Sequence, residues 1–286
     1  MDLAAEFAVH RDYLVTIAYR MLGSRHEAED VVQEAYVRAE RAGGDDVVEP
    51  RAWLTRIVGR LALDQLKSAR VRREQYVGPW LPEPLVQEAG GAGVADPADR
   101  VTLDDQISLA LLAVLESLSP AERAVYVLHE AFGLPFDEVA SIVGRTPQAC
   151  RQLAVRARDH LRTRAPRFDA DPDEQQRVVA GFKAAAETGD VDGLARLLDE
   201  NVLLRADGGG VVRTAARPIQ GRNAVTRTFA AGIRSATTLA ITEALVNGQP
   251  GLVARYDGQT VVFAFVVTDG LIAQIDIVAN PEKLAL

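Results

Sequence analysis

FDEVASIVGRTPQACRQLAVRARDHLR, residues 136–162, holds two runs of helical apolar spacing separated by a glycine. Val139, Ala140 and Ile142 form the first apolar set, and Cys150, Leu153, Ala157 and Leu161 form one stripe in the second. Gly144 supplies a tight turn. Thr146-Pro147 opens the next helix, where a proline costs little because its missing N–H would have no partner anyway. The spacing predicts a helix-turn-helix whose second member shows Gln148, Arg151, Gln152, Val155, Arg156 and Asp159 outward. Such a motif lays that face in the major groove, where Arg pairs with guanine O6 and N7 and Gln with adenine N6 and N7. Arg145 and Thr146, at the helix N-terminus, are placed for a backbone phosphate. By themselves these residues also fit an ordinary helical hairpin with an arginine-rich surface, and Cys150 reads as core packing.

The charge distribution around this stretch is uneven. The 286 residues carry 40 Asp+Glu and 32 Lys+Arg, a net charge of −8, which excludes a uniformly basic nucleic-acid coat. Residues 145–167 nevertheless hold seven arginines against Asp159, net +6, and residues 51–73 hold seven cations against Asp64, also net +6. The segments between and after them are acidic. In the second basic stripe, PRAWLTRIVGRLALDQLKSARVRRE, helical spacing puts Arg56, Arg60, Lys67, Arg70 and Arg73 on one side with Trp53 near the start. An aromatic beside cations suits stacking on an unpaired base with phosphates held nearby. Trp53 fits a core position equally well. A single cysteine rules out an internal disulfide, and no signal segment or membrane-length apolar run is present, so a soluble cytoplasmic protein is expected.

The length gives a prior of roughly two domains at about 150 residues each. Helical periodicity runs from residue 3 to about 165, broken at Gly23-Ser24, over 42–50 and over 76–104. Ser24 with Glu27, and Ser119-Pro120 with Glu122, have the form of capping boxes. Residues 76–104 carry four prolines and four glycines and read as an interdomain linker. After Pro166 the reading changes to helices at about 173–187, 190–199 and 222–234. Strands follow from Thr238 onward: LAITEALV, GLVARY, QTVVFAFVV and LIAQIDIV. The separators Gly248-Gln249-Pro250, Asp257-Gly258 and Asp269-Gly270 read as hairpin turns, so an α+β domain with an antiparallel sheet is expected over 172–286.

Three runs taken together resemble a known family: AYRMLGSRHEAEDVVQEAYVRA, PRAWLTRIVGRLALDQL and LSPAERAVYVLHEAFGLPFDEVASIVGRTPQACRQLAVRARDHL. They are similar to regions 2 and 4 of bacterial RNA polymerase sigma factors of the extracytoplasmic-function group, over about 1–73 and 105–165. The resemblance implies two all-α domains, region 2 over 1–75 and region 4 over 105–166. The implied partners are the polymerase core, through the β′ clamp helices and the β flap, and promoter DNA. Asp30, Gln33 and Glu34 then fall where the group docks on the β′ clamp. The 42–50 loop and the helix from Trp53 fall where it opens and reads the minus-10 element, and Gln148–Arg156 where it reads minus-35. Arg60 departs from the pattern, standing where most of the group carries Asn.

The linker run YVGPWLPEP, with Asp207-Gly208-Gly209-Gly210 and the terminal Asn280-Pro281-Glu282-Lys283-Leu284, resembles a subgroup carrying a SnoaL-like (NTF2-like) domain after region 4. Bland chemistry also accounts for these runs, as a glycine bend and a strand-to-tail stop. The resemblance implies that the domain regulates in cis, with Trp80, Leu81, Pro82, Asp207, Gly208, Gly209, Gly210, Asn280 and Pro281 as contact elements. Relatives of the domain include cyclases and isomerases that need a poised carboxylate or histidine. All four histidines precede residue 169; Asp276, alternating with Ile275 and Ile277, could face inward, but exposure is the commoner reading, so no catalytic pair is identified. The expectation is an initiation factor that is not an enzyme and needs no cofactor or metal, with an unidentified small ligand of the third domain left open. Two alternatives are a SnoaL-type enzyme tethered to a DNA-binding module and a repressor with one helix-turn-helix.

Overall fold

The computed structural model describes residues 2–43, 47–74, 76–88, 107–164 and 171–284, with the side chains of 70–74 and 164 outside that description. The described chain divides into two compact units. The first gathers residues up to 74 and 112–164; the second gathers 76–88, 107–111 and 171–284.

The first unit is helical. α1 (Leu3–Leu22) starts at Asp2, whose carboxylate accepts the Ala5 N–H, and stops at Gly23 in the left-handed conformation, φ +73°. α2 (Arg25–Ala42) starts at Ser24, whose hydroxyl accepts the Glu27 N–H. α3 (Pro50–Glu74) completes a three-helix core of Leu14, Ile17, Met21, Leu22, Val32, Leu54, Val58 and Leu66. After α4 (Leu109–Leu115) comes α5 (Pro120–Val125), opened by the full capping box: Ser119 Oγ takes the Glu122 N–H and Glu122 returns a bond to the Ser119 N–H. Each such cap is worth about 1 kcal/mol. A wide π-type turn over Tyr126–Ala131 leads to α6 (Phe136–Val143), and Gly144, at φ +70°, turns the chain into α7 (Pro147–Arg164).

The helices of the N-terminal and C-terminal halves of this unit pack on each other. Gly59 of α3 lies against Ile142 of α6, where an added Cβ would come within 3.0 Å of a methyl group. Arg123 of α5, 1% exposed, donates to the Arg20 carbonyl at the end of α1 and is ion-paired with Glu116. Tyr13 of α1 meets Phe132 edge-on at 5.4 Å.

The second unit is a mixed seven-stranded sheet with helices on one face. α8 (Pro172–Thr188) and α9 (Val191–Leu197), capped by Asp171 and Asp190, lead into β2 (Leu198–Asp207), β3 (Ile219–Gln220) and α10 (Arg222–Ser235). The meander β4 (Ala240–Val246), β5 (Gln249–Tyr256), β6 (Gln259–Thr268) and β7 (Leu271–Val278) follows. Its turns are Asn247-Gly248, Asp257-Gly258 and Asp269-Gly270, with positive φ at both residues of each, the requirement of a type I′ hairpin. The first turn therefore lies one residue earlier than expected, and Gln249-Pro250 begin β5. Phe182, Phe229, Phe263 and Phe265 fill the space between helices and sheet. This is the expected α+β architecture.

Three sequence expectations need correction. The sheet is not purely antiparallel, because β2 runs parallel to β7, with Arg205 beside Asp276. β2 escaped detection because LDENVLLRAD has a single β-branched residue and follows a helix without a glycine stop. The segment read as a linker is, over 76–88, part of this unit: β1 (Val86–Glu88) pairs antiparallel with β4 at the sheet edge. Asp276 is 1% exposed, not a surface residue.

Candidate functional site

The basic face of α7 is built by its own apolar stripe. Cys150, Ala154, Ala157 and Leu161 are buried, with Leu153 only half-buried, so the stripe follows i, i+4, i+7, i+11. Burial pushes the Cys150 thiol up, which keeps it neutral and unreactive. Gln148, Arg151, Gln152, Val155 and Arg156 are all exposed on the opposite side. Among the described residues none of the four polar side chains has a hydrogen bond or an ion pair; Arg151 rests over the Phe136 ring at 5.4 Å. Arg158 and Arg162 are answered, by Glu130 at 3.3 Å and Asp159 at 3.4 Å. Arg145 is exposed, whereas the Thr146 hydroxyl accepts the Ala149 N–H and caps its own helix.

On α3, Arg56 and Arg60 are exposed and unpaired among the described residues, Lys67 is paired with Asp64 at 2.9 Å, and Trp53 is half-buried. The side chains of Arg70 and Arg73 lie outside the described residues, as does part of the 42–50 loop. Asp30, Gln33 and Glu34 are exposed on one stretch of α2, Glu34 bonded to Arg38 at 2.8 Å and Asp30 beside His26 at 3.7 Å.

In the second unit the Asp207 carboxylate bonds two of the residues proposed as contact elements, Leu81 and Gly209, together with Tyr76 and Lys283. Asp207, fully buried, ends β2. Its Oδ1 accepts the Tyr76 hydroxyl at 2.5 Å and the Gly209 N–H at 3.0 Å. Its Oδ2 accepts the Leu81 N–H at 2.9 Å and the Lys283 ammonium at 2.7 Å. Lys283 also donates to the Leu81 carbonyl at 2.6 Å and stands 4.1 Å from the Trp80 ring centre. Asn280 donates to the Tyr76 oxygen at 3.0 Å and accepts the Glu282 N–H, holding the turn that begins at Pro281. Burial first, and then the neighbouring Asp207, push the Tyr76 hydroxyl well above its ordinary value, so it stays a donor. Leu81, Pro82 and Pro84 are buried.

The glycines answer to the same contact. A side chain on Gly208 would collide with the Val212 carbonyl, and one on Gly209, at φ +65°, with the Asn280 amide; Gly210 lies against Val77. Further along, Asn247, buried in its turn with φ +50°, accepts the Leu85 N–H at 3.0 Å, donates its own N–H back to the Leu85 carbonyl at 2.8 Å, and reaches the Ile107 carbonyl at 3.2 Å. Glu88 is ion-paired with Arg255. Asn247 and Glu88 were not picked out by sequence, whereas Tyr76 and Lys283 lie in the quoted YVGPWLPEP and NPEKL runs without a role of their own. Nothing local to Asn247 shows that its amide would grip a distant strand.

Asp276 takes a bidentate bond from Arg205, 2.7 Å at each oxygen, and a third from Gln274 at 2.8 Å. Strand alternation puts Arg205 and Asp276 on the sheet face away from Leu204, Ala206 and Ile275, which face the helices. Both oxygens of the Asp276 carboxylate are thus engaged on that face. Among the described residues no group of three His, Cys, Asp or Glu could hold a metal, and no helix is long and apolar enough to cross a membrane.

The helical half is of the sigma-70 type: residues 7–72 match the family Sigma-70 region 2 and residues 108–161 the family Sigma-70, region 4. Over its length the chain is 37% identical to "ECF RNA polymerase sigma factor SigJ" of Mycobacterium tuberculosis, covering 98% of this chain and 92% of that one. It is 38% identical to "Probable ECF RNA polymerase sigma factor SigI" of the same species, covering 99% and 94%. The crystal structure of M. tuberculosis SigJ superposes with a TM-score of 0.78 at 34% identity, covering 98% of this chain and 97% of that one. The chain belongs to the extracytoplasmic-function RNA polymerase sigma factors. It is thus a factor for polymerase-directed transcription initiation, with an α+β domain after region 4.

Proposed function

We propose that Arg151, Gln148, Gln152 and Arg156 read the minus-35 element, that α3 from Trp53 through Arg60 and Lys67 meets the minus-10 element, and that Asp30, Gln33 and Glu34 dock on the β′ clamp. Support comes from exposed faces whose polar groups have few partners in the free chain. Region 4 meets the β flap in the same reading, and the protein works in the cytoplasm where its polymerase is.

The C-terminal domain modulates this activity in cis, and the observation carrying that reading is the Asp207 cluster, which grips the segment joining region 2 to region 4. The two promoter elements lie about 25 base pairs apart by their names, or about 85 Å along B-form DNA at 3.4 Å per step. Two regions packed as closely as Gly59 and Ile142 cannot reach both at once, so they must part. Residues 76–88, while held by the Asp207 cluster and by the pairing of β1 with β4, are removed from the length that can extend. The test is run-off transcription with core polymerase on a selected promoter, comparing the full chain with Asp207→Asn and Lys283→Met. A several-fold change in initiation at equal core affinity is expected. Unchanged initiation by both variants overturns the cis reading and leaves promoter recognition standing.

The enzymatic alternative has less support, since Asp276 is neutralised by Arg205 and four phenylalanines occupy the space a substrate would need. Turnover of a polyketide-like or steroid-like substrate that is lost in Asp276→Asn would reverse that judgement.

A further inference from the structure

Residues 208–242 carry five arginines, no lysine and no carboxylate, whereas the rest of 171–286 carries 6 cations and 14 carboxylates. Arg222 spends its Nε–H on the Leu198 carbonyl at 2.8 Å, fixing the start of α10 to β2. The other four, Arg213, Arg217, Arg227 and Arg234, are exposed and have no ion pair or hydrogen bond among the described residues. Elsewhere in the domain every cation except Arg177 has a carboxylate: Lys183 has Glu187, Arg196 has Asp190, Arg205 has Asp276, Arg255 has Glu88 and Lys283 has Asp207. Unanswered positive charge is therefore concentrated on α10 and the loop that precedes β3.

The arrangement suits a phosphate backbone. Arg227 and Arg234 are seven residues apart, two turns on one face, which separates them by about 10 Å along the helix. Asn223, one turn before Arg227 on the same exposed face, adds a neutral donor. Guanidinium in place of ammonium favours phosphate, whose oxygens accept two parallel N–H bonds. These side chains stand on a lone helix and a loop, not on the second helix of a helix-turn-helix, so they are assigned to phosphates and not to base edges.

We propose that α10 and the loop preceding β3 supply a third contact for duplex DNA, made through phosphates alone. The idea rests on the promoter-binding reading only in taking DNA as the polyanion at hand. The test is fluorescence anisotropy of the full chain with a promoter duplex and a random duplex over a salt series. Arg227→Gln/Arg234→Gln and Arg213→Gln/Arg217→Gln are compared with Arg151→Gln. Each lost phosphate contact lowers the log–log salt slope by about 0.9, so each double variant loses about two units of slope and about ten-fold or more in low-salt affinity, equally on both duplexes. Arg151→Gln lowers only the preference for promoter over random sequence. Slopes unchanged in both double variants overturn the proposal, as does a wild-type chain without salt-dependent binding. Unchanged slopes with weakened core binding would make the occupant a protein. Failure of Arg151→Gln alone strikes the minus-35 reading and leaves this one intact.

Discussion

The outer face of α7 and the Asp207 cluster both rest on charged and polar side chains, and they differ in who satisfies them. On α7, Gln148, Arg151, Gln152 and Arg156 point into solvent, held in place by the apolar stripe on the other side of the helix. In the cluster, one buried carboxylate meets four donors drawn from the linker, the glycine turn and the C-terminal tail. The first arrangement costs the free protein nearly nothing and is ready for an external ligand. The second is internally complete, and removing one partner strands the others. A surface of the first kind tolerates substitution and loses function; one of the second kind loses stability.

That contrast can be broken most forcefully at Asp207. Asp207→Ala removes the fully buried carboxylate on which four donors converge and is expected to destabilise the C-terminal unit by about 3–5 kcal/mol, read as a lower denaturant midpoint. A loss under 1 kcal/mol would mean that the cluster is not closed in solution. Next in size is a pair of neighbours on one helix. Cys150→Ser buries a hydroxyl in the apolar stripe at a cost of about 1–3 kcal/mol in folding stability. Arg151→Ala should leave stability within about 0.5 kcal/mol while removing about 1–3 kcal/mol of discrimination at one base pair of the minus-35 element. Equal stability losses in the two variants would erase the distinction between the faces of α7.

Smaller effects come from pH. The raised Tyr76 hydroxyl, held up by burial and by Asp207, favours the folded state fully below its ordinary value near 10. That contribution is lost as pH rises through the higher folded value, so the cluster should loosen only in strong alkali, measurable as Tyr76 ionisation by ultraviolet difference absorbance. The Glu88 carboxyl is held below its ordinary value chiefly by Arg255. Its contribution is complete above about pH 4.5 and fades as pH falls through the lower folded value. The pair is partly open to solvent, so it is worth up to about 1 kcal/mol, and faster amide exchange in β1 in acid is the measurement.

Much of this was legible in the sequence where the physics is local. Ser119-Pro120 with Glu122, Gly144 before Thr146-Pro147, and the Asp-Gly turns at 257 and 269 are each decided by residues within four positions. Where partners are distant the reading failed. Residues 76–88 look like a proline-rich tether because the strand that Val86–Glu88 join, β4, lies more than a hundred residues away. Asp276 looks exposed because Arg205 stands beside it only through the parallel pairing of β2 and β7.

The sequence alone therefore determined the helix-turn-helix, its polar face, the hairpin turns at 257 and 269 and the two basic stripes, since caps, turns and periodicity are short-range. Only the tertiary structure decided that Asp207 joins Tyr76, Leu81 and Lys283, and that Asp276 is neutralised. The packing of Gly59 on Ile142 belongs with these. The physical reason is that burial and charge pairing depend on which strands become neighbours, and a buried carboxylate reads the same in a sequence as one in water.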